Sequence, residues 1–286
     1  MSIRVENLSH IYNPGTPFET RALHHVDLHV EKGEFVGLIG HTGSGKSTLI
    51  QHLNGLLKPT HGKIIIDGLD LTSTGTKMKE VRKKVGLVFQ YPEHQLFEES
   101  VEKDIAFGPH NLGLNENEVK TRVDEAMRMV RLPFEIKERS PFELSGGQRR
   151  RVAIAGVLAM KPDVLILDEP TASLDPRGRD EILEQIQELH KEQRITVILV
   201  SHSMEDIGRL VDRIVVMHQG TIALTGYPRD VFCQVQQLQE MGLGVPQITH
   251  LMREMNRNGF SFPEDVYTVQ DAGNVIMEYL RGKGYA

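Results

Sequence analysis

Gly40-His-Thr-Gly-Ser-Gly45-Lys46-Ser47 fits the spacing G-x-x-x-x-G-K-[ST] of a phosphate-binding loop. An apolar run, Phe35–Ile39, precedes it, and helical spacing follows from about Lys46 to Leu53. That strand–turn–helix setting is the one this chemistry needs. Gly40, Gly43 and Gly45 let the backbone curl, so that successive N–H groups through His41, Thr42 and Ser44 point inward at phosphate oxygens. The positive end of the helix dipole reinforces them. Lys46 is expected to reach the β- and γ-phosphates of a nucleotide, Ser47 to ligate Mg²⁺, and Thr48 to add a phosphate contact.

Two further groups share this chemistry. Val164-Leu-Ile-Leu167-Asp168-Glu169 ends an apolar strand in two carboxylates, and ligands bind at that end of an open parallel sheet. Asp168 suits Mg²⁺, through water, and Glu169 is the natural group to polarise an attacking water. Leu144-Ser145-Gly146-Gly147-Gln148 precedes helical spacing expected over Arg151–Met160, which makes a second anion-binding helix N-terminus. Ser145 follows Lys46 by 99 positions, and Gln148 precedes Asp168 by 20. One chain rarely needs two phosphate cradles for one nucleotide.

The elements that must position these residues alternate between strand and helix up to about residue 225. Strands are expected at Ile3–Leu8, Val26–Val30, Phe35–Ile39, Lys63–Asp67, Val85–Phe89, Val164–Leu167, Thr196–Val200 and Arg213–Met217. Short, almost continuously apolar runs among them read as central parallel strands covered on both faces. Between Ser100 and Ala159 helical spacing replaces the strand signal, which predicts a helical subdomain over about 92–160 inserted into a sheet domain spanning 1–227. Beyond Tyr227 three helical faces are expected, carried by Val231, Val235 and Leu238, then Ile248, Leu251, Met252 and Met255, then Val275, Ile276, Tyr279 and Leu280. An extension over 228–286 is too small to stand alone readily, so it is expected to pack on the main domain or on a partner.

Composition bounds the function. With 286 residues, 39% hydrophobic and 25% charged, the chain is expected to fold as an ordinary globular protein. A net charge of −6 argues against neutralising nucleic-acid phosphates. The single cysteine, Cys233, excludes an internal disulfide and any cysteine-based zinc site. The opening MSIRVENLSH lacks a signal-peptide core, and no apolar run approaches the ~20 residues of a membrane span. A membrane link would therefore go through a partner.

The phosphate loop, Gln90 after an apolar strand, Leu-Ser-Gly-Gly-Gln, the acidic pair, Ser173-Leu-Asp175 and His202 after a strand occur in an order that resembles ABC-family ATPases over about residues 1–225. The resemblance implies an α/β phosphate-loop NTPase core and a head-to-tail dimer. Each ATP would lie between the phosphate loop of one subunit and the Ser-Gly-Gly of the other. By the same resemblance Tyr12, 28 residues before Gly40, looks like the aromatic that stacks on adenine; the bland alternative is a half-buried tyrosine at a strand end. Gln90 would touch Mg²⁺ or the attacking water, Asp175 would lie at the dimer interface, and His202 would contact the γ-phosphate and hold Glu169 and the water in line.

Phe89-Gln-Tyr-Pro-Glu-His-Gln-Leu-Phe97, Asp104-Ile-Ala-Phe-Gly-Pro109 and Leu112-Gly113 narrow the resemblance to the ATPase subunits of energy-coupling-factor transporters, the CbiO type included. The inserted Pro14-Gly-Thr-Pro-Phe-Glu-Thr-Arg21 resembles the second of the two ATPase paralogues in such machines. The extension with Gly244-Val-Pro246 is similar to one that helps hold the two ATPases together. The implied partners are a second ATPase (the paralogue, or this chain itself), a membrane-embedded coupling subunit and substrate-binding membrane subunits. The implied place is the cytoplasmic face of a prokaryotic membrane, and the implied cargo vitamins or metal ions. Phe97, Ile105 and Phe107 among Glu93, Glu98, Glu99 and Glu102 suit a groove for an apolar helix carrying basic residues, or else form an ordinary subdomain surface.

One position departs from the pattern. Gly156 stands where many ABC ATPases have arginine, and it permits closer helix packing. The run Arg149–Arg151 points in several directions on a helix and makes no nucleic-acid patch. His24, His25 and His29 read as solvated histidines. The rival class, a soluble ABC ATPase acting on DNA or ribosomes, is disfavoured by the 99-residue interval, the single cysteine and the single cassette. A regulatory subunit without hydrolysis is disfavoured by the presence of both Glu169 and His202.

Overall fold

The computed structural model describes residues 2–73 and 75–283. In chain order, β1 (Ser2–Tyr12) and β2 (Thr20–Glu31) form a long antiparallel hairpin, and β3 (Phe35–Gly40) runs into α1 (Lys46–Leu53). β4 (His61–Ile66), β5 (Leu69–Asp70) and α2 (Met78–Lys84) lead to β6 (Val85–Val88). Three helices follow: α3 (Val101–Leu112), α4 (Glu116–Met129) and α5 (Gly146–Leu158). The chain then re-enters the sheet through β7 (Val164–Asp168), α6 (Pro176–Gln193), β8 (Thr196–Val200), α7 (Met204–Leu210), β9 (Arg213–His218) and β10 (Thr221–Gly226). Helices α8 (Pro228–Phe232), α9 (Val235–Glu240), α10 (Gln247–Arg257) and α11 (Val269–Gly282) complete it.

The central sheet has the order β10-β9-β3-β8-β7-β6, and all its strands but β10 are parallel. An antiparallel sheet, β2-β1-β4-β5, lies against one face. Strand period two divides the core between these faces. Val36 and Leu38 of β3, Val164 and Ile166 of β7, and Ile198 and Val200 of β8 join the cluster under the antiparallel sheet and α1. Phe35 and Ile39, Leu165 and Leu167, and Val197 and Leu199 point the other way, into the helical layer of α3 to α7. Every parallel strand is therefore clad on both sides.

The structure corrects several sequence expectations. Helix α5 begins at Gly146, not Arg151, because Ser145 caps it: its hydroxyl accepts from Gln148 N–H while the Gln148 side chain accepts from Ser145 N–H. The glycines thus form the first helical turn. Strand β10 was not expected, since as an edge strand it alternates exposed and half-buried residues and buries none fully. Helix α2 and the two-residue β5 were also not expected. The single face expected over Val231–Leu238 belongs to two short helices broken at Cys233 and Gln234.

In the extension, Val231, Phe232, Val235, Leu238, Met241, Leu243 and Val245 join the main core. Met252, Phe262, Val266 and Ala272 form a small core of their own. His25 and His29 are exposed, with Asn7 and Glu31 as their respective partners.

Candidate functional site

The phosphate loop is shaped by what surrounds it. A Cβ on Gly40 would lie 2.4 Å from the Met217 carbonyl oxygen, and one on Gly45, at φ +100°, 2.8 Å from that of Ala22. Only glycine allows the neighbouring strand and hairpin to close this tightly. Lys46 is buried, and its ammonium donates back to the carbonyls of Gly40 and, at 3.1 Å, His41. Burial holds its pKa below the ordinary lysine range against the opposing pull of Glu169 and Asp168. Ser44 N–H donates to His41 O at 3.1 Å, while the Ser44 hydroxyl is buried without a partner. Thr42, Gly43 and Ser47 face outward.

Sheet order brings the remaining groups to this loop. Strand β8 lies between β3 and β7, so His202, just after β8, emerges between the phosphate loop and the acidic pair. Glu169 N–H donates to Val200 O at 3.0 Å, and His202 Nε2 stands 3.5 Å from Glu169 Oε1. Glu169 takes φ +49°, an uncommon conformation for a non-glycine residue. Its Oε1 is buried with no hydrogen-bond partner. Burial, then the neighbouring Asp168 charge, pushes its pKa up to about 7. Burial also raises Asp168, with Lys46 opposing, and lowers His202, helped by Lys46 and His41.

Other expected residues lie further out. Tyr12, at the end of β1, shares a 3.2 Å hydrogen bond with the Thr48 hydroxyl, which ties it to α1. Gln90 is exposed in the turn after β6. Asp175 caps α6, accepting from Gly178 N–H at 2.6 Å. Ser145 and Gly146 are exposed, and a Cβ on Gly146 or Gly147 would meet nothing within 4 Å. This second cradle opens to solvent and makes no hydrogen bond to the phosphate loop. The chain thus brings together the loop, Asp168, Glu169 and His202, and leaves Ser145–Gln148 apart.

Two functional connections escaped sequence reading. Arg150 is 1% exposed and pairs through two nitrogens with Glu93, while donating to the carbonyls of Pro170 and Ala172. It thereby links the turn after Gln90, the start of α5 and the segment after the acidic pair. No local spacing announces this pair. Gly242, at φ +73°, lies against His41: a Cβ there would be 3.4 Å from the imidazole. Gln247 N–H donates to Glu205 of α7 at 3.2 Å, so the extension touches both the phosphate loop and the helix after His202.

A groove lies beside Phe97 and Phe107, but Ile105 and the expected acidic wall of Glu93, Glu98, Glu99 and Glu102 do not line it. Ile105 is fully buried and Glu93 is spent on Arg150, so neither lines it as a free group. A cavity of about 610 Å³ lies between α2, β6, α3 and α5, lined by Leu87, Phe89, Phe97, Phe107 and Val157, with Lys79 and Arg82 at one side. Phe97 and Phe107 stack edge to face at 4.9 Å and remain about half exposed. A Cβ on Gly156 would stand 3.7 Å from Asp104 O, an ordinary contact, so the α3–α5 approach does not itself require the expected glycine.

No group of three His, Cys, Asp or Glu side chains converges to hold a metal among the described residues. The three residues expected at Mg²⁺, Ser47, Gln90 and Asp168, would offer a hydroxyl, an amide and a carboxylate, a donor set that needs phosphate oxygens to complete a shell. The orphaned Ser44 hydroxyl and Glu169 Oε1 fit a polar ligand in the cradle. Among the described residues no helix is long and apolar enough to cross a membrane.

Comparison with known proteins gives one consistent result. The ABC transporter family matches residues 23–172. The energy-coupling factor transporter ATP-binding protein EcfA2 of Caldanaerobacter subterraneus is 60% identical over 282 residues, covering 99% of both chains. That of Clostridium tetani is 58% identical over 284 residues, again with 99% of both covered. Among solved structures, cbiO1 from Clostridium perfringens, part of the ABC transporter complex cbiONQ, aligns with a TM-score of 0.73 at 40% identity, covering 88% of this chain and 98% of that one. The dimeric post-hydrolysis cassette MJ0796 bound to ADP and Pi gives 0.71 at 29% identity over 79% of this chain and 98% of its own.

Proposed function

The chain belongs to the ABC transporter family as the ATP-binding subunit of an energy-coupling factor transporter, hydrolysing ATP to drive transport, and we propose how its residues do so. Gly40–Ser47 and Thr48 hold the triphosphate, with Lys46 released from its two loop carbonyls onto the β- and γ-phosphates. Tyr12 stacks on the adenine. Ser47, Gln90 and Asp168 hold Mg²⁺, which when bound neutralises phosphate charge. Glu169 accepts the proton of the attacking water, and His202 keeps it and the γ-phosphate in line. The observation that carries this reading is the unpartnered, buried Glu169 Oε1 beside His202 and Lys46. Its pKa of about 7 leaves it poised between ionised and protonated near neutrality, as a general base should be.

The outward-facing Ser145–Gln148 cradle supports a composite site, completed by the phosphate loop of a second ATPase subunit. Asp175 then lies at that interface. We take residues 1–227 as the ATPase domain, with the helical subdomain over about 92–160, and 228–286 as the dimerisation extension. The similarity to relatives named EcfA2 favours a heterodimer with a paralogue. The apolar groove beside Phe97 and Phe107 receives a helix of the membrane-embedded coupling subunit. Separate substrate-binding membrane subunits supply the vitamin or metal ion, and the chain works peripherally at the cytoplasmic face without nucleic acid.

Purifying the tagged chain from detergent-solubilised membranes of its host tests this assembly. A second ATPase and a polytopic membrane protein are expected to accompany it. Recovery only from the soluble fraction, with nucleic acid or ribosomes, would overturn the transport assembly.

A further inference from the structure

The strand carrying Tyr12 is irregular where it approaches α1. Its pairing with β2 shifts register between Val5 and Leu8, where Asn7 takes φ +50°, again between Leu8 and His10, and again before Ile11. Period two continued from the buried Ile3 and Val5 would turn Leu8 and His10 to the other face, yet both are buried. The bulge has turned His10 inward, as bulges do where a side chain must be re-aimed. There its ring meets Tyr12 edge to face at 4.5 Å and His52 of α1 at 4.6 Å.

His52 closes the circuit. Its Nδ1–H donates to the Thr48 carbonyl at 2.7 Å, and the Thr48 hydroxyl bonds Tyr12 at 3.2 Å. That bond fixes the tautomer, leaving Nε2 as a bare nitrogen. Both this atom and His10 Nδ1 are buried without a partner. Two unpartnered polar atoms cost stability that aliphatic residues would not, so packing alone does not account for the choice. Burial holds both imidazoles below their ordinary pKa against the opposing pull of the Lys58 backbone, and His10 further disfavours protonation of His52. Above Tyr12 the chain offers no support, since residues 13–19 are all exposed.

We propose that His10 and His52 are positioning residues that lock Tyr12 to the first turn of α1, so that the adenine platform and the phosphate loop form one rigid frame. The inference rests on the reading of Tyr12 as that platform. A nucleotide bound at both ends then orders little on arrival, which is the gain of preorganisation. Neither histidine touches the reacting atoms. Their loss weakens recognition of the base and spares the chemical step.

The test compares KM for ATP, kcat, and the inhibition constant of tripolyphosphate, which has phosphates but no base. His10→Ala is expected to raise KM for ATP about two- to tenfold, the worth of one aromatic pair. It should leave kcat within about twofold and tripolyphosphate inhibition unchanged. His10→Phe, which keeps the edge-to-face contact, restores KM. His52→Asn keeps a donor for the Thr48 carbonyl but loses the ring, and matches His10→Ala. An unchanged KM in His10→Ala, where Tyr12→Ala raises it, overturns the proposal. So does a fall in tripolyphosphate affinity parallel to that for ATP, which marks a general structural role. If Tyr12→Ala itself leaves KM for ATP unchanged, the platform reading fails, and the inference fails with it.

Discussion

Glu169 is held where burial and the Asp168 charge both oppose its ionisation, and where its backbone sits at φ +49°. Such features persist when the surroundings impose them, here through the Glu169 N–H bond to Val200 and the packing of β7 against β8. The sign of the consequence for stability follows from linkage. The folded protein holds this proton up to about pH 7, whereas the unfolded chain releases it near 4.5. Stability without nucleotide therefore falls as pH rises through that window and levels off above it. Glu169→Gln removes the effect. By chemical denaturation the variant is expected to exceed the wild type by about 1–3 kcal/mol at pH 8 and to match it near pH 4. Equal stability at both pH values would contradict the electrostatic picture of this carboxylate.

At the scale of elements, Arg150 ties α5 to two loops whose positions matter for the acidic pair. Arg150→Ala leaves Glu93 charged and mostly buried with no partner, so thermal and denaturant unfolding should show a loss of about 3–5 kcal/mol. Arg150→Met combined with Glu93→Leu should recover most of it, because the uncompensated charge is then gone. If the single variant costs nothing, the pair is not holding these elements together.

This element also marks what could be read in advance. The strands β3, β7 and β8 and helix α1 were legible, because period and apolar runs are local signals, and so was the cluster at their ends. The start of α5 was misread because two consecutive glycines read as loop by propensity, while the Ser145–Gln148 capping box that overrides them lies in side-chain bonds. The Arg150–Glu93 pair, the bulge that buries His10 and the contact of Gly242 with His41 join residues far apart in the chain. No spacing rule announces them.

For the molecule as a whole, the arrangement is a sheet whose carboxyl ends gather the phosphate loop, Asp168, Glu169 and His202, with the glycines at the start of α5, proposed as a second phosphate cradle, open to solvent. The extension reaches back to His41 through Gly242 and to α7 through Gln247, so the part assigned to dimerisation touches the site it would regulate. The groove beside Phe97 lies against α5, the helix that carries the second cradle. Under the proposed function, docking and nucleotide chemistry would share this element. The most direct test is the ATP hydrolysis rate of the chain, purified with whatever accompanies it from native membranes, as wild type and as Glu169→Gln. The account predicts that the variant loses at least about 100-fold in turnover, the lower range for a lost general base, while still retaining ATP. Undiminished hydrolysis would contradict the assignment of Glu169 and the chemistry built around it.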